Sequence, residues 1–168
     1  MAYAAKLMAA PRLGSRAMDL EEIHERLVEV IAALADANDT APIIVEGERD
    51  VKALRALGVG GQILTLNRGV TVFHFCERLA SDYRHVVILT DWDGRGGQLA
   101  RLLRDGLAAN GVKYDEDLRA RLAALCQKDT KCVEDLHRFM ERLRPRGEDG
   151  RRRRLSNRAW YGDRSQRR

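Results

Sequence analysis

His85-Val86-Val87-Ile88-Leu89-Thr90-Asp91-Trp92-Asp93-Gly94 joins the most strand-like run in the chain to two aspartates and a glycine. The apolar block is too short for a buried helix and reads as a strand in the interior of a sheet. Working outward, Ile43-Ile44-Val45 is a second such run, closed by Glu46-Gly47, and Gln62–Leu66 a third, followed by the loop Asn67-Arg68-Gly69. Between and after these runs the apolar period changes to that of helices. Val51, Leu54 and Leu57 share a face in 49–57; Val72, Phe73, Cys76 and Leu79 share another. In 96–109 Leu99, Leu102, Leu103 and Leu107 are expected to point inward, with Asn110-Gly111 as the stop. Strands alternating with helices at this spacing imply βαβ units: an α/β, Rossmann-like three-layer domain with a parallel sheet of about four strands.

The flanks complete the division of the chain. Asp19 is suited to N-cap a helix whose first turn holds Glu21 and Glu22 and whose inner face is Ile23, Leu27, Val30, Ile31 and Leu34. Helical stretches are also expected over 115–126 and 132–143, joined by the turn Gln127–Lys131. Residues 1–18 carry no capping or periodic pattern and read as disordered or as a mis-annotated start, with Met18 as an alternative first residue. The domain then spans 19–144, and 145–168, with Arg151–Arg154 in a row, reads as a disordered Arg-rich tail.

The chain has 168 residues and a net charge of +5, but the charge is unevenly spread. The tail carries +6 and the first 18 residues +3, which leaves −4 on the domain. The basic flanks, and not the domain, are the parts suited to grip a polyanion. Three cysteines do not make a disulfide framework, no run is long enough to span a membrane, and the opening residues lack a secretory pattern. A cytoplasmic protein without membrane contact is the expectation.

The chemistry lies in two acidic clusters, Glu46-Gly47-Glu48-Arg49-Asp50 and Asp91-Trp92-Asp93-Gly94, each at the C-terminal end of an expected strand. Ligands of open parallel sheets bind at those ends. Asp91 and Asp93, two residues apart on leaving a strand, point the same way. Carboxylates gathered in one crevice repel, and Mg²⁺, which takes one or two carboxylates and completes its shell with water and phosphate, neutralises them. Either cluster alone would also serve as ordinary turn and helix-cap material. Among neighbouring residues, Arg49, Arg68, Arg95 and Gln98 are placed to contact backbone phosphates or merely to balance charge. Lys128 and Lys131 reach the crevice only if their turn folds over it, and Trp92 suits either base stacking or packing. Cys76 reads as core, and Cys126, Cys132 and His137 lack zinc-site spacing.

Glu46-Gly47-x-x-Asp50 after one strand and Asp91-x-Asp93-Gly94 after another, about 45 residues on, resemble the Toprim domain over about Ala41 to Leu143. Lys131-Cys132-Val133-Glu134-Asp135-Leu136 and the N-terminal helix are similar to the small stand-alone Toprim proteins of archaea. The resemblance extends to the ribosomal-RNA maturase and primase-type Toprim nucleases. It implies Mg²⁺-dependent (or Mn²⁺-dependent) phosphodiester chemistry on structured RNA or DNA. Glu46, Asp91 and Asp93 would be catalytic, and Glu46, Asp50, Asp91 and Asp93 would hold the metal; by their position, and not by the resemblance, Arg49, Arg68, Arg95 and Gln98 are the substrate-binding candidates. The sequence departs from the topoisomerase form at Arg95, where a third acid belongs, and leaves no room for the tyrosine-bearing strand-passage domain, so topoisomerase activity is not expected. A complete primase is not expected either, since zinc-binding and helicase-contacting parts are missing. Two alternatives stand beside this reading. One is a non-catalytic metal- and nucleic-acid-binding module within a larger protein complex. The other is a haloacid-dehalogenase-like phosphatase with Asp91 as nucleophile, which leaves the first cluster unexplained and needs Thr or Ser at Arg95.

Overall fold

The Asp19 side chain accepts a hydrogen bond from Leu20 N at 2.7 Å, so α1 (Leu20–Asn38) starts at the expected cap. The structure, a computed structural model, describes residues 18–66, 69–126 and 128–144. The expected disordered start and tail, and Arg68, lie outside the described residues. After α1 come β1 (Ile43–Val45), α2 (Glu48–Ala56), β2 (Ile63–Thr65), α3 (Val72–Asp82), β3 (His85–Ile88) and α4 (Gly94–Ala109). The chain then forms β4 (Lys113–Asp115), α5 (Asp117–Cys126), a 3-10 turn (Val133–Asp135) and α6 (Leu136–Leu143).

All pairings in the four-stranded sheet are parallel, and the strand order is β2-β1-β3-β4. Ile43 pairs with Val87 and Ile44 with Ile88, so the two strands that carry the acidic clusters are central neighbours. Their side chains alternate between two cores. Ile43, Val45, Val87 and Leu89 face a layer containing α1, α2, α5 and α6, with Leu27, Leu54, Leu122 and Phe139 among its buried members. Ile44, Val86 and Ile88 face the layer of α3 and α4, with Cys76, Leu79, Leu103 and Leu107. This is the expected three-layer α/β arrangement, and Cys76 is core as anticipated.

Three details depart from the sequence pattern. β4 carries no apolar run: Lys113 and Tyr114 are exposed on an edge strand, which is why periodicity does not mark it. The helix expected from 115 begins at Asp117, because the Asp115 side chain accepts from Asp117 N at 2.7 Å and turns the chain first. Phe73 and Leu102, expected to face inward, are 49% and 45% exposed. A face that buries Ala100, Leu103 and Leu107 leaves Leu102 about 100° away, at the rim. At Gly106, α3 and α4 come so close that an added Cβ would lie 2.8 Å from Cys76 Sγ. No space remains there for the Phe73 ring between the helices.

Candidate functional site

Because β1 and β3 are adjacent and parallel, their C-terminal ends open on the same side of the sheet. Glu46 follows β1 directly, and Asp91 lies just beyond β3. The Asp91 backbone N donates to Glu46 Oε1 at 3.2 Å, which joins two clusters 45 residues apart in the chain.

Each remaining acid also has a local task. Gly47 is the N-cap of α2, and Asp50 at the third helical position accepts from Gly47 N through Oδ2 at 2.9 Å. That is the reciprocal arm of a capping box, and it accounts for the Gly-x-x-Asp spacing. Asp93 is the N-cap of α4 and accepts from Gly96 N through Oδ1 at 2.7 Å. Gly96 is obligatory for another reason: a Cβ there would collide with the Asp91 carbonyl. Asp91 Oδ1 accepts from Val133 N at 2.8 Å.

The electrostatics follow from this crowding. Burial, then repulsion from Asp91, pushes the Glu46 carboxyl above its usual range. Burial also raises Asp50 to about 6, against the hydrogen bond from Gly47 and with Asp91 adding to the rise. Asp91 is raised by burial, opposed by the Val133 hydrogen bond, while Asp93 and Glu134 repel it. Three carboxylates with raised pKa in one place form an under-neutralised negative site.

Residues that the sequence pattern does not single out hold this geometry. Arg119, on α5, donates through Nε to both Thr90 O and Thr90 Oγ1 at 3.0 Å and through Nη2 to Asp91 O at 2.7 Å. Thr90, itself buried, donates to Gly96 O at 2.8 Å. The turn before α6 does pack against the end of β3: Trp92 N donates to Lys131 O at 3.0 Å and Trp92 Nε1 to Thr130 O at 2.8 Å. Trp92 therefore serves packing, and the Lys128 and Lys131 side chains remain exposed.

Val133 permits a clean test of this brace. It is the first residue of the 3-10 turn, and Cys132 before it is extended at φ −123, ψ 143. Proline suits such a first position and accepts such a predecessor. Val133→Pro thus removes the N–H that Asp91 uses with little backbone strain, and Val133→Ala controls for packing. The Pro variant is expected to bind Mn²⁺ about tenfold more weakly than the Ala variant, by calorimetric titration, at similar urea stability. Equal affinities would show that the hydrogen bond does not position Asp91.

Glu46, Asp50, Asp91 and Glu134 line an open cleft of about 770 Å³, together with Arg49 and Arg95. Arg49 is largely exposed and 3.7 Å from Glu134; Arg95 is exposed, and its charge offsets part of the rise at Glu46. Asp93 and the exposed Gln98 are not among the cleft's lining residues. The N-termini of α2, α3 and α4 all open here, with residues Gly47 to Asp50, Val72 and Arg95 on the wall. Their dipoles favour an anion. Among the described residues, no three His, Cys, Asp or Glu side chains converge closely enough to hold a metal ion by themselves. The all-oxygen donor set of Glu46 and Asp91 nonetheless fits a hard cation that keeps several waters and shares a phosphate.

The family model described as "Toprim domain" matches residues 41–125. A UPF0292 protein of Methanosarcina acetivorans is 37% identical over 121 residues, covering 71% of this chain and 83% of the relative. A UPF0292 protein of Pyrococcus furiosus is 39% identical over 125 residues, covering 74% and 92%. Among solved structures, a protein of Aquifex aeolicus superposes with a TM-score of 0.55 at 26% identity, covering 64% of this chain and 94% of that one.

Proposed function

The chain belongs to the Toprim domain family, a metal-binding fold of nucleic-acid-related proteins, and from that premise we propose that it is a Mg²⁺- or Mn²⁺-dependent enzyme acting on phosphodiesters of RNA or DNA. The observation that carries the proposal is the Asp91 N to Glu46 Oε1 contact, which brings the two acidic clusters together across adjacent strands in a cleft facing three helix N-termini.

Glu46 and Asp91 would hold the metal, with Asp93 and Asp50 beside them at the helix caps. Bound there, the ion would polarise a phosphoryl oxygen and make a coordinated water more acidic. Glu46, its pKa raised, is suited to take a proton from the attacking oxygen or return one to the leaving oxygen. Asp91 is oriented from two sides, by Val133 N on its carboxylate and by Arg119 on its carbonyl. Among the described residues, Arg95 and Arg49 line the cleft and would meet substrate phosphate, alongside the helix dipoles. Gln98 would act further out along the strand of substrate. No helix among the described residues is long and apolar enough to cross a membrane.

The test is incubation of labelled RNA and DNA, single- and double-stranded, with Mg²⁺ or Mn²⁺ and with chelator. Metal-dependent products removed by chelation are expected. Metal-dependent binding without cleavage would favour the rival reading, a module that holds nucleic acid for a partner. The −4 charge of residues 19–144 supports that rival, since the domain itself lacks the excess of basic residues usual in a polyanion groove.

A further inference from the structure

The lining of the cleft is of two kinds. Besides the carboxylates it includes, on the α3–α4 side of the sheet, Leu66 after β2, Val70 and Val72 at the entry to α3, Phe75 one turn on, and Leu99 on α4; Leu66, Val72 and Phe75 also pack against the core of that layer. None of the five is fully buried, and Val70 is 36% exposed. A metal with its waters and a phosphoryl group needs only polar surroundings, so apolar lining in the same cleft as those acids fits a substrate that is charged at one end and apolar beside it. A phosphate attached to a nucleoside meets that description. In a duplex both faces of a base are covered by its stacked neighbours, whereas an unpaired or flipped base has a free face. Sequence-tolerant contacts with such faces are made by aromatic and aliphatic side chains.

We propose that the Leu66–Val70–Val72–Phe75–Leu99 wall receives the base of an unpaired nucleotide adjoining the phosphate held at Glu46 and Asp91, so that the substrate is single-stranded or locally unpaired at the reacting position. This rests on the metal–phosphate reading of the same cleft. The roughly 770 Å³ of the cleft accommodates a nucleotide and a hydrated ion together. Phe75 supplies the aromatic face, and Val70 is the most exposed of the lining apolar residues.

The experiment compares two probes on the full chain in Mn²⁺: adenosine 5′-monophosphate and ribose 5-phosphate, which differ only in the base. The nucleotide is expected to bind about tenfold more tightly. Val70→Asn combined with Leu99→Asn should cut the nucleotide's advantage at least about threefold and leave ribose 5-phosphate unchanged. These two residues are chosen because both are partly exposed, whereas Phe75 also packs on the core. Metal-dependent binding of ribose 5-phosphate with no advantage for the nucleotide would overturn the base wall alone. An advantage undiminished by the double substitution would do the same. Failure of both probes to bind in Mn²⁺ would overturn the metal–phosphate reading and the base wall with it. In a second measurement, a single-stranded oligonucleotide should compete at least about tenfold better than its duplex in Mn²⁺; a duplex preference would refute the proposal.

Discussion

Asp91→Asn is expected to reduce metal-dependent cleavage by roughly 10²–10⁴-fold while leaving the thermal midpoint at or above that of the wild type. The replacement keeps the shape and the Oδ1 acceptor for Val133 N, and it leaves the Arg119 contact to the main-chain carbonyl untouched. What it removes is one negative charge near Glu46, Asp93 and Glu134, a charge that burial first and repulsion second disfavour in the metal-free protein. Glu46→Gln is expected to behave alike, because its amide oxygen can still accept from Asp91 N. Groups that act through one bound ion are not additive, so the double variant should be little worse than either single one. Loss of activity accompanied by an equal loss of stability would place these residues in the architecture and not in the chemistry. Cleavage rates with oligonucleotide substrates, read beside melting curves, separate the outcomes.

The second large effect is on stability. Asp50 titrates at about 6 in the folded chain against an ordinary 3.8, with Glu46 and Asp91 shifted in the same direction. The folded state therefore binds these protons more tightly than the unfolded state does. Their stabilising contribution is complete below about pH 4 and is lost as pH rises through about 6. The metal-free protein should accordingly weaken across that window in urea titrations. The full shift at Asp50 corresponds to about 3 kcal/mol, and water in the open cleft reduces this to roughly 1–2 kcal/mol. Asp50→Asn, which retains an acceptor for Gly47 N, should recover that amount at pH 7 in the absence of metal. Millimolar Mg²⁺ should raise the midpoint at pH 7.5 far more than at pH 5, where protons already occupy the site. A metal-free stability that rises between pH 4 and 6, or a Mg²⁺ effect independent of pH, would contradict the assignment.

How much of this is legible in the chain differs from residue to residue. Ile43-Ile44-Val45 and Val86–Leu89 announce themselves as interior strands because nothing else accommodates such short apolar runs, and the acidic residues that follow are placed by the sheet. The pairing of β1 with β3 is a matter of topology, which periodicity does not encode; the two motifs together point to it. The Gly47-x-x-Asp50 and Asp93-x-x-Gly96 spacings fit a metal ligand and a helix cap equally well, since both demand a carboxylate oxygen at the same place. In the folded chain both carboxylates accept the cap hydrogen bonds. Arg119 is one arginine in a chain rich in them, and its role arises only when α5 docks against the end of β3. The hydrogen bond from Val133 to Asp91 is made by a main-chain group, which no side-chain pattern reveals. β4 escapes notice because an edge strand of three polar or exposed residues carries no apolar signal.

The central claim is that Glu46 and Asp91 together bind a divalent cation at the junction of the two acidic clusters. Calorimetric titration of Mn²⁺ into the wild-type chain at pH 7.5, repeated with Glu46→Gln and with Asp91→Asn, tests it most directly. The account predicts one site in the wild type, lost or weakened at least about tenfold in each variant. Wild-type affinity retained in both variants would contradict it.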